Sequence, residues 1–456
     1  MIKTPIVFTF FSLVTIVTPA RGAEGPPPTS CDVGVAVDVG KKFDPKAVVA
    51  KVAATASRRR GPPELQLRGR GLVAAVITTL GRDPGLAEVA TLDVPCLVAP
   101  ELGALLSPGV FPRLTTLRMR GCRLDDRAAG ALEGLDARGE IATLDLGRGK
   151  ATPAVLKTLL GLERHAPLTV IVSGLHALPT AALAELGKIA PNPAVTFSVA
   201  VRCPDLARLE KTALLRHVSR IDVACGDEGA KALARATNTG ALKRIEIDAC
   251  AGEDDDSDPE MTRESALALV EAPALAGVVE LAFDAAPVCE QPGIGRSGLA
   301  DILSAPFAPR LQTLELAGQA LGRKGVALLV STERLPALRH LLVRSERFGA
   351  DDVRALVQTG PLAGRLEELS VSGSGGGDDD DDGTTLDDKT TAALAGSLAM
   401  PKLRRLELGG SWLSAAAKDQ LRRAPWTSQL EVLDFTPPRS PLCAPRWHGV
   451  GDAVPD

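Results

Sequence analysis

Eight cysteines, five histidines and a run of five consecutive aspartates are the residues of this 456-residue chain whose types could do chemistry. The cysteines form no CxxC, so neither a dithiol redox centre nor a zinc site is signalled. His165, His176, His217, His340 and His448 include no HExxH and no i, i+4 pair, which fits ordinary surface histidines better than metal ligands or general bases. Asp378, Asp380 and Asp382, followed by Gly383, match the start of a calcium loop, in which hard oxygens gather around a glycine turn. The glutamate that should close such a loop is replaced by Lys389, and the same run reads equally as a solvated low-complexity loop. There is no G-x-S-x-G elbow and no phosphate-binding glycine loop. Acids are plentiful, but nothing marks two of them as the carboxylate pair of a glycosidase.

The chemistry therefore has to come from how the chain arranges its surface. The first residues, "MIKTPIVFTFFSLVTIVTPARGA", carry an early lysine, an apolar run from Ile6 to Val17, and small residues at Ala20, Gly22 and Ala23. That is the layout of a signal peptide over residues 1–23, and it predicts a secreted or periplasmic protein. The run is too short for a comfortable membrane span, so no membrane attachment is expected after cleavage. Hydrophobic residues make up 45% and charged residues 24%, the range of a folded soluble chain. With no tyrosine and only 3% aromatics, stacking platforms for single-stranded nucleic acid are scarce. The net charge of −4 hides two acidic islands, 253–260 and 378–388, with six and seven acids; without them and the leader the chain stands at +7. Neither sign is strong enough to point to nucleic acid as the partner.

The elements that position this surface repeat. "LTTLRMRGCRL" from Leu114 returns as "LQTLELAGQAL" from Leu311, "LRRLELGGSWL" from Leu403 and "IATLDLG" from Ile141, with weaker copies between. The second apolar residue of each copy gives fourteen markers: Leu65, Leu92, Leu117, Leu144, Val170, Phe197, Ile221, Ile245, Leu281, Leu314, Leu341, Leu369, Leu406 and Leu433. Their spacing is 24 to 28 residues except for 36, 33 and 37 before Leu281, Leu314 and Leu406. Such periodicity outranks any single-residue clue. Helical patterns fill the intervals. "DDRAAGALEGL" puts Ala128, Leu132 and Leu135 on one face behind a capping Asp125, and Thr152 with Pro153 opens another. "GRKGVALLVSTERL" and "GADDVRALVQTGPL" follow suit. Each unit is a short strand, a turn and a helix, and must stack on its neighbours to bury its apolar face.

The frame L-x-x-L-x-L-x-x-C-x-L with a helix and a period near 27 resembles the leucine-rich repeat, in its long ribonuclease-inhibitor-like class. The resemblance covers residues 62–438 and implies an α/β solenoid: a horseshoe with a parallel sheet on the concave side and helices on the convex side. Residues 24–61 then hold a linker and an amino-terminal cap, and 439–456 a carboxy-terminal cap and tail. Acidic insertions fall at 251–260 and 372–388. In that family the ninth position is asparagine or cysteine; Cys122 and Cys250 fit as turn-filling thiols, whereas Gly149, Gln319 and Ser411 depart from it. Cys203 and Cys225 lie in neighbouring repeats and could bridge, although sequence alone does not set connectivity.

On such strands the residues flanking each marker face away from the helices. Seven of the fourteen that follow a marker are acidic, and only Arg118 is basic. Thr91, Thr116, Thr143, Thr169 and Thr196 precede five successive markers, with Arg220, Arg244 and Arg405 farther on. These read either as β-favouring threonines and solubilising charges or as a partner-binding face for a basic protein or peptide. The residues singled out are Thr116, Arg118, Asp145, Asp222, Glu246, Glu315, His340 and Glu407. The expectation is an exported, monomeric, non-catalytic binding protein without cofactor, calcium at the aspartate run aside. An extracytoplasmic hydrolase built on the scaffold is one alternative. A regulator resembling the GTPase-activating members of the repeat class is another, but those are cytosolic and none of their activating arginines maps onto this chain.

Overall fold

The computed structural model describes residues 35–38, 47–50, 64–68 and most of 73–435; the longest stretches outside that description are 1–34, 51–63, 249–260, 373–390 and 436–456. The leader, the aspartate run and the tail therefore lie outside the described residues, as does most of "GADDVRALVQTGPL". The chain divides into two compact units, Met1–Ser198 and Val199–Asp456.

In the first unit, strands β1 (Val35–Asp38), β2 (Glu64–Arg68), β3 (Thr91–Asp93) and β4 (Thr116–Arg118) pair in chain order, all parallel. A short β5 (Arg123–Leu124) leaves this sheet, and β6 (Thr143–Asp145) takes the place beside β4. Next come β7 (Lys150–Ala151), which pairs with β5 alone, and β8 (Leu168–Val172), which pairs with β6. β9 (Val195–Arg202) contains the boundary between the units. The second unit continues through β10 (Val218–Ala224), β11 (Arg244–Asp248), β12 (Glu280–Asp284) and β13 (Thr313–Ala317). β14 (His340–Arg344), β15 (Glu368–Ser372), β16 (Arg405–Glu407) and β17 (Val432–Asp434) complete it, again parallel and in chain order. Parallel neighbours need a crossover, and a helix supplies it in most repeats. The fold is an α/β solenoid.

The register follows the marker residues. Leu65, Leu92, Leu117, Leu144 and Val170 stand in one row. Ile221 through Leu433 form another. All but the last of the fourteen are 0–1% exposed. Leu433 is half-buried, on the strand that ends the row among the described residues. The 36- and 37-residue intervals leave the register intact, since Ile245 still meets Leu281 and Leu369 still meets Leu406. The acidic insertions are thus extra chain between strands that pair normally. Asp227 grips the exit of the first one, accepting from the backbone N–H groups of Thr262 (2.9 Å) and Ser265 (3.0 Å) and from both hydroxyls.

Local chemistry explains the helix starts. Asp125 accepts from the N–H groups of Arg127 and Ala128 at 3.1 and 3.2 Å and caps the helix Asp126–Leu132. Thr152 caps Pro153–Leu160 by accepting from Val155 N at 3.4 Å. Helix Gly226–Arg235 packs so closely on β10 that a Cβ at Gly229 would lie 2.4 Å from Val223 Cγ1. Only glycine permits that approach.

Two of the departures at the ninth repeat position also have physical reasons, while Ser411, like Cys250, lies outside the described residues. Cys122 is a buried thiol in its turn. Its carbonyl oxygen would lie 2.3 Å from a Cβ at Gly149, so the equivalent position one repeat later admits no side chain. Gln319 is 0% exposed; it accepts from Ile294 N at 3.1 Å and donates to the carbonyls of Phe283 (3.3 Å) and Ala317 (2.5 Å). Its side chain satisfies three backbone groups of the turn.

Two buried arginines bind successive repeats together in a way the frame does not announce. Arg138, 1% exposed, donates to the carbonyls of Leu105 (3.0 Å), Ser107 (3.3 Å) and Phe111 (3.0 Å) and pairs with Glu140. Arg164, 5% exposed, donates to the carbonyls of Leu135 (2.5 Å), Arg138 (3.0 Å), Gly139 (3.3 Å) and Ile141 (2.7 Å). Burial lowers the pKa of Arg164, and the charges of Asp136 and Glu140 oppose it.

Candidate functional site

The strand face turned away from the helices is built in parallel rows. In the second unit the row after the marker reads Asp222, Glu246, Ala282, Glu315, Leu342, Ser370, Glu407, Asp434, each opposite the next. The row before it reads Arg220, Arg244, Glu280, Thr313, His340, Glu368, Arg405, Val432. Neighbouring strands lie about 4.8 Å apart, so charges in adjacent rows must interact.

They form one network across β10 to β13. Arg220 donates to Asp222 through Nε (2.9 Å) and Nη2 (3.3 Å), and through Nη2 to Glu246 Oε2 (2.9 Å). Arg244 donates to the same Glu246 oxygen at 3.1 Å and to Glu280 at 3.1 Å, and lies 3.7 Å from Glu315. Among the described residues, four carboxylates thus surround two guanidiniums, an excess of two negative charges when all are ionised. Asp248 and Asp284 stand opposite each other one row farther on. Asp222 is only 9% exposed. Its carboxyl is pushed up to about 7, first by burial and then by the charge of Glu246, against the pull of Arg220 and Arg244. Burial pulls Arg244 downward, but the charge of Glu246, the hydrogen bonds to Glu246 and Glu280 and the charge of Glu315 outweigh it. Arg244 therefore remains a fixed cation.

The singled-out residues divide into groups. Asp222, Glu246 and Glu315 belong to the network. Glu407 sits farther along, paired with Arg405 at 3.1 Å, and Arg405 also faces Glu368 at 3.6 Å. His340 is half-buried, with Nδ1 3.2 Å from the Thr313 hydroxyl, so it does not converge with the carboxylates. In the first unit Arg118 lies between Asp93 and Asp145 in register and donates to Glu64 Oε1 at 2.5 Å. Thr116 is half-buried in the ladder Thr91, Thr116, Thr143, Thr169. Asp145 is only 6% exposed, and its carboxylate accepts from Gly147 N at 2.9 Å in the turn.

Glu64 and Glu280 were not among the expected site residues. Both precede a marker, in the row where threonines and arginines drew attention; reading that row across strands rather than along the chain would have found them. Cys225 is disulfide-bonded, while the side chain of Cys203 lies outside the described residues. Among the described residues no group of three or more His, Cys, Asp and Glu side chains is arranged to hold a metal ion. Asp378, Asp380 and Asp382 are outside that description. No helix among the described residues is long and apolar enough to cross a membrane.

No family model matches the chain, and no curated protein matches it in sequence. Among solved structures it is similar to an internalin, InlF, from Listeria monocytogenes, with 13% identity over 75% of this chain and 91% of that one and a TM-score of 0.30. The mouse RP105/MD-1 complex gives 13% identity over 78% of this chain and 60% of that one, with a TM-score of 0.32. At these scores neither likeness bears on function, and the fold rests on the register and the buried frame.

Proposed function

We propose that the protein is an exported, monomeric solenoid of the ribonuclease-inhibitor-like leucine-rich class that binds a basic protein or peptide and performs no chemistry of its own. The docking surface is the strand face away from the helices, the concave face of the expected horseshoe. The observation that carries the reading is the acid excess across β10 to β13, where Asp222, Glu246, Glu280 and Glu315 share Arg220 and Arg244. A self-neutralising ladder would alternate charges one for one; this one leaves negative potential on a partly desolvated surface, which favours and orients a cationic partner. Export rests on the leader in residues 1–23.

The test is capture from the secreted or periplasmic fraction by the full chain, with the mature amino terminus read by mass spectrometry. Cleavage between Ala20 and Ala23 is expected, together with a captured basic protein that is lost when Asp222, Glu246, Glu280 and Glu315 are all changed to Lys. Retention of every captured protein by that variant would remove the strand face from the binding role.

A further inference from the structure

We propose that Asp222 and Glu246 share a proton and that this proton gates the strand face: the face takes up a basic segment when the proton leaves and releases it when the proton returns. The proposal rests on the partner reading above and adds its regulation. Its basis is geometric. Asp222 and Glu246 stand directly opposite each other on β10 and β11, with Cα atoms about 5 Å apart. Asp222 is 9% exposed, so water screens the pair little. Its hydrogen-bonding cation, Arg220, is divided between both carboxylates. Glu246 has a second cation in Arg244, whose guanidinium also serves Glu280 and faces Glu315.

The charges acting on Asp222 come from Arg220 on its own strand and from Glu246 and Arg244 on β11. Glu280 on β12 and Glu315 on β13 face Arg244 and draw its charge away. On the neighbouring β9, Val199, Ala200 and Val201 carry no titratable group, and Arg202 at its end is charged. Two like charges at this separation, with Arg220 divided between them and Arg244 shared with Glu280 and Glu315, favour holding a proton between them. The rise of the Asp222 carboxyl to about 7 agrees with that. A cation from a partner supplies the missing counterion, so binding and proton release are linked and each drives the other.

The experiment uses the full mature chain and a nona-arginine peptide, titrated calorimetrically from about pH 5.5 to 8.5 in two buffers of different ionisation enthalpy. The expected result is an affinity that rises roughly tenfold across this range, the effect of about one added ion pair, with protons released on binding. Asp222→Asn should bind with little pH dependence. Glu246→Gln should shift the midpoint to lower pH, because it removes the like charge and leaves Asp222 able to ionise. Binding that is flat in pH for the unaltered chain overturns the proposal. So does a pH dependence that survives in Asp222→Asn, which would point to His340 instead. If the peptide binds at no pH, the partner reading fails and the gate falls with it. Carbon-13 NMR of the side-chain carboxyls in the free chain then decides the shared proton by itself. A carboxyl titrating near neutrality and absent from Asp222→Asn upholds it, and its absence from the unaltered chain refutes it.

Discussion

At the scale of single residues, the decisive feature is a carboxyl held in a position that suits its protonated form. The folded Asp222 keeps its proton up to about pH 7, whereas its ordinary value is 3.8. Between those values the folded chain binds a proton that the unfolded chain has released. Stability from this group is therefore greatest below the unfolded value and is lost as pH rises through the folded one. Asp222→Asn removes the titration. Urea unfolding across pH 4 to 8 should show the variant gaining on the unaltered chain by roughly 1 to 4 kcal/mol toward the alkaline end. Parallel stability curves would contradict the shifted carboxyl. The sequence showed that Asp222 and Glu246 follow their markers, and so share a face. It did not show that Asp222 would be desolvated or that one arginine would serve both acids, because both depend on how long side chains lie across neighbouring strands.

At the scale of elements, the marker residues were legible because each repeat must bury one such side chain, and burial recurs at the repeat period. The helix starts at Asp125 and Thr152 were legible for a local reason, since a cap needs only its own first turn. The arginine staples were not. Arg138 and Arg164 sit in polar, charged stretches, "LDARGE" and "LERHAP", where an arginine reads as solvated. Only the fold reveals the carbonyls gathered around them. Each donates to several backbone carbonyls of the preceding repeat, in a buried or half-buried setting. Arg138→Met keeps much of the volume and removes the donors. Chemical denaturation should show a loss on the order of 2 to 5 kcal/mol for it, far more than for Arg113→Met at the exposed pair with Glu88. Equal effects at the two positions would mean that the staple contributes nothing beyond an ordinary surface pair.

At the scale of the whole molecule, stacking builds the surface as well as the core. Because the strands β10 to β17 keep one register, a flanking charge in one repeat lies beside its counterparts in the next, and an acidic preference per repeat becomes an acid-rich row broken at Ala282, Leu342 and Ser370. A row of charges specifies sign and spacing before it specifies a partner's identity. The insertions at 251–260 and 372–388 interrupt the chain without interrupting the row, since β11 to β12 and β15 to β16 remain paired. The central claim is that this row, in the second unit, is the docking surface for a basic segment. Calorimetric titration of the full chain with nona-arginine at pH 8, at about 0.05 and 0.5 M salt, tests it most directly. Saturable binding is expected, weakening at least about tenfold with the added salt and vanishing when Asp222, Glu246, Glu280 and Glu315 are replaced by Lys. Undiminished binding by that variant would contradict the claim.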